Sequence, residues 1–128
     1  MIKAYFDSSA IFKLGCEEKE TFALIEFLEE GAVEASTSVL AEVEVTRNLR
    51  HRQLDQAEAV RGFHLITVDE DIRRAAIELG DRTLKSLDAI HIATALAIGD
   101  RDLQFITYDN RQADAARQAG LKVIQPGR

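Results

Sequence analysis

Acidic side chains stand at three places where a short apolar run stops. Asp7 follows residues 2–6, Asp69 follows HLITV at 64–68, and Asp109 comes two residues after LQFIT at 103–107. Glu42, Glu44 and Asp88 lie inside segments that otherwise read as partly apolar helices. Asp88 is the most informative of the six. Its helical neighbours are Leu84 at i−4, His91 at i+3, Ile92 at i+4 and Ala95 at i+7, which puts its carboxylate on a partly buried face. A buried charge needs a partner, either a bound cation or an ion pair with Arg82, Lys85 or Arg111. Asp7, Asp69 and Asp109 also read as helix caps, and nothing else recommends Asp69. Several oxygen donors without a cysteine cluster select a hard ion, Mg²⁺ or Mn²⁺. Phosphodiester hydrolysis is the natural chemistry, because such an ion acidifies a water and offsets phosphate charge. There is no HExxH zinc motif, no Gly-rich phosphate loop and no Cys–His nucleophile pattern. His51 lies between two arginines and reads as solvated, His64 opens a strand, and His91 reads as a packed, hydrogen-bonded histidine beside Asp88. Cys16 reads as a small packed residue.

The elements that position these residues alternate between strand and helix. Strands are expected at 2–6, 33–37, 64–68, 103–107 and 121–125. Helices are expected at 10–14, 20–30, 39–52, 56–62, 70–79, 83–98 and 111–118, with Ser38 as a cap and Gly31, Gly80, Gly99 and Gly120 as stops. Strands joined by helices need crossovers, which give a parallel sheet covered on both faces. The fold class is therefore α/β: a three-layer α/β/α sandwich with a parallel sheet of four or five strands. Sites in such folds lie beyond the carboxyl ends of the strands, where Asp7 and Asp109 stand.

The chain has 128 residues, 46% hydrophobic and 30% charged, with no linker-like tract, so residues 1–128 are expected to form one domain. One cysteine excludes an intrachain disulfide and a cysteine zinc cage, and makes a reducing cytoplasm the default compartment. No apolar run approaches the ~18 residues of a membrane span, and the opening residues lack a signal-peptide pattern. The net charge of −6 argues against a protein that coats nucleic acid by bulk charge. With four carboxylates gathered at one metal site, however, the rest of the chain is nearly balanced.

Five blocks occur in order along the chain: AYFDSSAIFKL at 4–14, SVLAEVEVTR at 38–47, LDAIHIATA at 87–95, ITYD at 106–109 and AGLKVIQPG at 119–127. In them the sequence resembles the PIN-domain ribonucleases, and among them the VapC-like toxins of toxin–antitoxin pairs. The resemblance therefore covers nearly the whole chain, and its strength lies in all the blocks occurring in order. The family's acidic quartet matches Asp7, a helix glutamate, Asp88 and Asp109. The pattern S-x-L-x-x-x-E-x-x-R fits Ser38, Leu40, Glu44 and Arg47 and favours Glu44; an alternative register points to Glu42. Residues two apart on a helix differ by ~200° in direction, so the two cannot share one site. The resemblance implies Mg²⁺- or Mn²⁺-dependent endoribonuclease action, with Asp7 and Asp88 as direct metal ligands. Asp109 and Glu44 would assist through water, through a second ion, or by positioning the attacking water. Ser9 would orient a carboxylate or water. Arg47, with Arg50, Arg52, Arg61, Lys13 and Lys85, is a candidate to hold RNA phosphates; the bland reading of 47–52 is a solvated helix face. The resemblance also implies RNA as substrate, a cognate VapB-like antitoxin covering the site, and a homodimer.

Three competing readings are weaker. A PIN-like binding module without catalysis gains nothing from four mutually repelling carboxylates. A phosphoacceptor receiver domain needs paired acids after the first strand and a lysine after the fifth; here Asp7 stands alone and Lys122 lies inside the last strand. A flap-type or DNA-directed nuclease of the same superfamily usually carries insertions for threading DNA, for which this chain is too short.

Overall fold

The computed structural model describes residues 1–55 and 60–128. Strand β1 (Ile2–Phe6) sends Ala4 and Phe6 to one face of the sheet and Tyr5 to the other, and all three are fully buried. A strand buried on both faces requires helices on both sides. Helices α1 (Ser8–Gly15), α2 (Thr21–Glu30) and α3 (Val39–His51) supply one layer, where Ile11, Leu24, Val45 and Leu49 pack with Ala4 and Phe6. Helices α5 (Ser86–Ile98) and α6 (Asn110–Gln118) supply the other, where Ile92 and Ala116 pack with Tyr5 and Phe105; α4 (Glu70–Glu78) lies against α5. At Gly15 an added Cβ would stand 2.7 Å from Leu49 Cδ1, so the close approach of α1 to α3 depends on a residue without a side chain.

The other strands are β2 (Val33–Ser38), β3 (His64–Ile66), β4 (Gln104–Ile106) and β5 (Lys122–Ile124). Among the described residues they form a five-stranded sheet in the order β3-β2-β1-β4-β5, every neighbouring pair parallel. Ala4 pairs with Ala35 on one side and Gln104 on the other, and Phe6 pairs with Ile106. The chain lays β2 and β3 on one side of β1 and β4 and β5 on the other, so the direction of winding reverses between β1 and β4. That reversal opens a crevice at their carboxyl ends.

The architecture agrees with the three-layer α/β/α expectation, with differences at element ends. The helix expected at 83–98 begins at Ser86, because Asp81 Oδ1 accepts hydrogen bonds from Thr83 N (2.8 Å) and Thr83 Oγ1 (2.5 Å) and folds that stretch into a turn. The apolar runs at 64–68 and 103–107 are longer than the paired strands, since pairing covers only three residues of each. Of the helix expected at 56–62, positions 56–59 lie outside the described residues and 60–62 form a turn. Asp69 caps α4, accepting from Ile72 N at 2.9 Å. Among the described residues no helix is long and apolar enough to cross a membrane.

Candidate active site

Asp7 ends β1 and caps α1, and it is only 4% exposed. Its Oδ1 accepts from Ser9 Oγ (2.7 Å) and Ala10 N (3.1 Å), and its Oδ2 accepts from Thr107 Oγ1. The cap and the buried carboxylate are therefore one and the same feature. The web continues into β4's carboxyl end: Tyr108 N donates to Ser9 Oγ (3.0 Å) and Asp109 N donates to Thr107 Oγ1 (3.1 Å). Burial pushes the Asp7 carboxyl above its usual value, against the pull of Thr107, Ser9, His91 and the Ala10 amide.

An open cleft of about 1250 Å³ lies between the start of α5 and α6 and is lined by Glu44, Lys85, Asp88, Asp109 and Arg111. A smaller one of about 500 Å³ adjoins it, with Ser8, Ser9, Lys13, Asn48, Arg52 and Arg128. Glu44 and Asp109 line both. Asp88 is half-buried, and among the described residues it makes neither a hydrogen bond nor an ion pair; Arg82, Lys85 and Arg111 do not close on it. Burial raises its pKa, and the neighbouring Asp109 and Glu44 charges add to the rise, against His91 and Lys85. Burial would raise Glu44 as well. Hydrogen bonds from His91 (3.0 Å) and Ser8 (2.7 Å) outweigh that and hold its carboxyl below the ordinary glutamate value. Asp109 is exposed and caps α6 through Oδ1, which accepts from Arg111 N (2.9 Å) and Gln112 N (3.3 Å).

The family model of the PIN domain matches residues 4–118. The chain belongs to the PIN domain family. Two relatives from Mycobacterium tuberculosis are similar over almost their full lengths. Ribonuclease VapC46 (strain ATCC 25618 / H37Rv) is 39% identical, covering 98% of this chain and 99% of its own. Ribonuclease VapC47 (strain CDC 1551 / Oshkosh) is 37% identical, with 96% of each chain covered. Among solved structures, a toxin–antitoxin complex from Klebsiella pneumoniae superposes with a TM-score of 0.73 at 25% identity, over 94% of this chain and 95% of that one.

In this PIN domain Glu44, Asp88 and Asp109 line the larger cleft, whereas Asp7 lines neither cleft and lies buried at the end of β1, next to Ser8 and Ser9 of the smaller one. Glu42 is exposed and lines neither cleft. Arg47 is exposed too and also lines neither, so the geometry does not place it among the phosphate-holding cations. The stripe of α3 that faces the smaller cleft runs Glu44, Asn48, Arg52 at four-residue steps, and Arg47 falls outside it. Ser9 holds Asp7 and takes the Tyr108 amide, which is a positioning task. Nothing in the order of residues marks Thr107. Its hydroxyl reads as a strand-end residue until β1 and β4 are known to be neighbours. His91 is packed and hydrogen-bonded as expected, at 2% exposure, but it pairs with Glu44 and not with Asp88.

The residues fit a hard divalent ion on chemical grounds. The free donors are carboxylate oxygens, and Asp88 carries a charge disfavoured by burial and by like charges, which a cation would relieve. Among the described residues no three acidic, histidine or cysteine side chains converge as a closed metal-holding group. Mg²⁺ needs no such cage, since it binds through one or two carboxylates and keeps several waters.

Proposed function

We propose that this chain is an endoribonuclease dependent on Mg²⁺ or Mn²⁺, the toxin of a toxin–antitoxin pair. The observation that carries the reading is that Glu44, Asp88 and Asp109 line one cleft, while Glu44 and Asp109 also line the smaller cleft at the ends of β1 and β4, where Asp7 is buried. The relatives named as ribonucleases, at 37–39% identity over nearly the whole chain, support RNA as the substrate. The toxin–antitoxin complex from Klebsiella pneumoniae supports a VapB-like antitoxin as partner.

Asp7 and Asp88 would hold the ion, Asp7 in the single orientation that Ser9, Ala10 and Thr107 allow. When bound, the ion supplies an acidified water and charge neutralisation at the scissile phosphate. The chain's own side chains do the rest. Lys85 and Arg111 line the acidic cleft and meet phosphate oxygens of the RNA strand; Arg52 extends the cationic path into the smaller cleft. Glu44 is held ionised, and with Asp109 it orients water at the site. Both carboxylates have one oxygen engaged and one without a hydrogen bond among the described residues.

The test is cleavage of RNA by alanine variants of Asp7, Glu42, Glu44, Asp88 and Asp109. Loss of about 10²-fold or more is expected at Asp7, Glu44 and Asp88, with Glu42→Ala close to wild type. Full activity in Asp7→Ala and Asp88→Ala would overturn the site. Loss at Glu42 with Glu44→Ala intact would reverse the choice of helix glutamate.

A further inference from the structure

Behind the acidic cleft runs a chain of buried hydrogen bonds that the quartet alone does not explain. Tyr5 is fully buried in β1, and its hydroxyl stands 2.6 Å from His91 Nδ1. Burial raises the tyrosine pKa, so the hydroxyl keeps its proton. Glu44 Oε1 is a carboxylate oxygen and can only accept, so the ring nitrogen facing it must donate, which leaves Nδ1 to accept from the Tyr5 hydroxyl. The His91 proton then sits on Nε2, 3.0 Å from Glu44 Oε1 and 3.2 Å from Ser8 Oγ. Ser8 Oγ donates to the same Oε1 at 2.7 Å. Both donors thus engage one oxygen of Glu44. Oε2 accepts nothing among the described residues, and Glu44 lines the cleft that holds Asp88 and Asp109. The ring itself is fixed: it packs edge-on to Tyr5 at 5.8 Å, and Tyr5 stacks on Phe105 at 5.5 Å.

We propose that His91, anchored from the core by Tyr5, is a positioning residue that pins Glu44 Oε1 together with Ser8 and so presents Oε2 to the RNA-cleaving cleft. This rests on the ribonuclease reading above. The logic is that of a rigid second layer: a long glutamate side chain has several rotamers, and two donors from different elements, α1 and α5, select one.

The test combines kinetics with a readout independent of activity. His91→Gln keeps an amide N–H near the Nε2 position, whereas His91→Asn is one bond too short to reach Glu44. Both are polar and of moderate size, so the pair separates reach from folding. The expected result is a kcat for His91→Asn about 10²-fold below wild type with KM nearly unchanged, and a kcat for His91→Gln at least about tenfold higher than for His91→Asn. Tyr5→Phe, which keeps the packing and removes the anchor, is expected to lower kcat about three- to tenfold. In parallel, ¹⁵N spectra of the metal-free wild type are expected to show His91 protonated at Nε2. Equal kcat in His91→Asn and wild type, equal loss in the Gln and Asn variants, or an unprotonated Nε2 overturns the proposal. Failure of the ribonuclease reading looks different: RNA cleavage is absent in wild type or survives in Asp88→Ala, while the Nε2 spectrum still decides the pairing with Glu44.

Discussion

Replacing Thr107 with valine removes a single hydroxyl from the centre of the site. Thr107 is fully buried, donates to Asp7 Oδ2, accepts from Asp109 N at 3.1 Å and lies 3.4 Å from Ser9 Oγ. Valine keeps the shape and loses all three relations. The buried Asp7 carboxylate then lacks a charge-assisted hydrogen bond, a loss of about 1.5–3 kcal/mol. The Asp109 amide lies nearer solvent and regains water, so its share is about 0.5–1 kcal/mol. The expected destabilisation is about 2–4 kcal/mol. Unfolding entropy scales with length, and for 128 residues each kcal/mol moves Tm by about 4 °C, which gives a drop of about 8–15 °C. The assay is thermal and urea denaturation in chelator at pH 7, with Thr107→Ser as the control that restores the hydroxyl. RNA cleavage by Thr107→Val is expected to fall about 10²-fold, because Asp7 and Asp109 share this support. A Thr107→Val protein within about 0.5 kcal/mol of wild type, or a serine variant no better than valine, would refute the reasoning.

Asp88→Asn is expected to stabilise the metal-free protein by about 0.5–1 kcal/mol at pH 7, because the wild-type carboxylate is disfavoured by burial and by Asp109 and Glu44. The folded pKa is raised, so the cost of ionisation is absent below the ordinary value of 3.8 and grows as pH rises through the folded value. The gap between variant and wild type therefore closes in acid, and added Mg²⁺ raises the Tm of wild type alone; a less stable asparagine variant contradicts this. Glu20 accepts from Lys13 Nζ (3.0 Å) and Arg128 Nε (2.9 Å), which hold its carboxyl down at about 2 against an ordinary 4.5. Its stabilisation is full above pH 4.5 and lost as pH falls toward 2. Glu20→Gln is expected to cost about 1–2 kcal/mol at pH 7, less below pH 4.5, and an unchanged melting curve at pH 7 argues against the clamp.

What the sequence makes legible here is local. An apolar run ended by Asp7 or Asp109, and a nearly all-apolar helix interrupted by Asp88, can be read from residue order because strand ends and helix faces are short-range properties. The helix pattern from 83 gives way to an α5 start at Ser86 because the Asp81 turn competes with helix for the same residues. Arg47 looked like a site cation because it matched a spacing, yet its direction on α3 takes it away from both clefts. The supports of the carboxylates were hidden for a different reason. Thr107 and Asp7 are 100 positions apart and His91 and Glu44 are 47 apart, so their pairing exists only once β4 lies beside β1 and α3 and α5 both pack against β2. Glu44 and Glu42 are adjacent in pattern, and burial separates them: one is half-buried beside Ser8 and His91, the other is exposed.

The central claim is that these carboxylates hold a divalent ion with which the chain cuts RNA. The most direct measurement is cleavage of an end-labelled RNA by the wild-type protein stripped with chelator, then titrated with Mg²⁺ or Mn²⁺. The account predicts no internal cleavage in chelator, saturable restoration by either ion, and no restoration in Asp88→Ala. Cleavage that persists in chelator, or an ion response unchanged in Asp88→Ala, would contradict it.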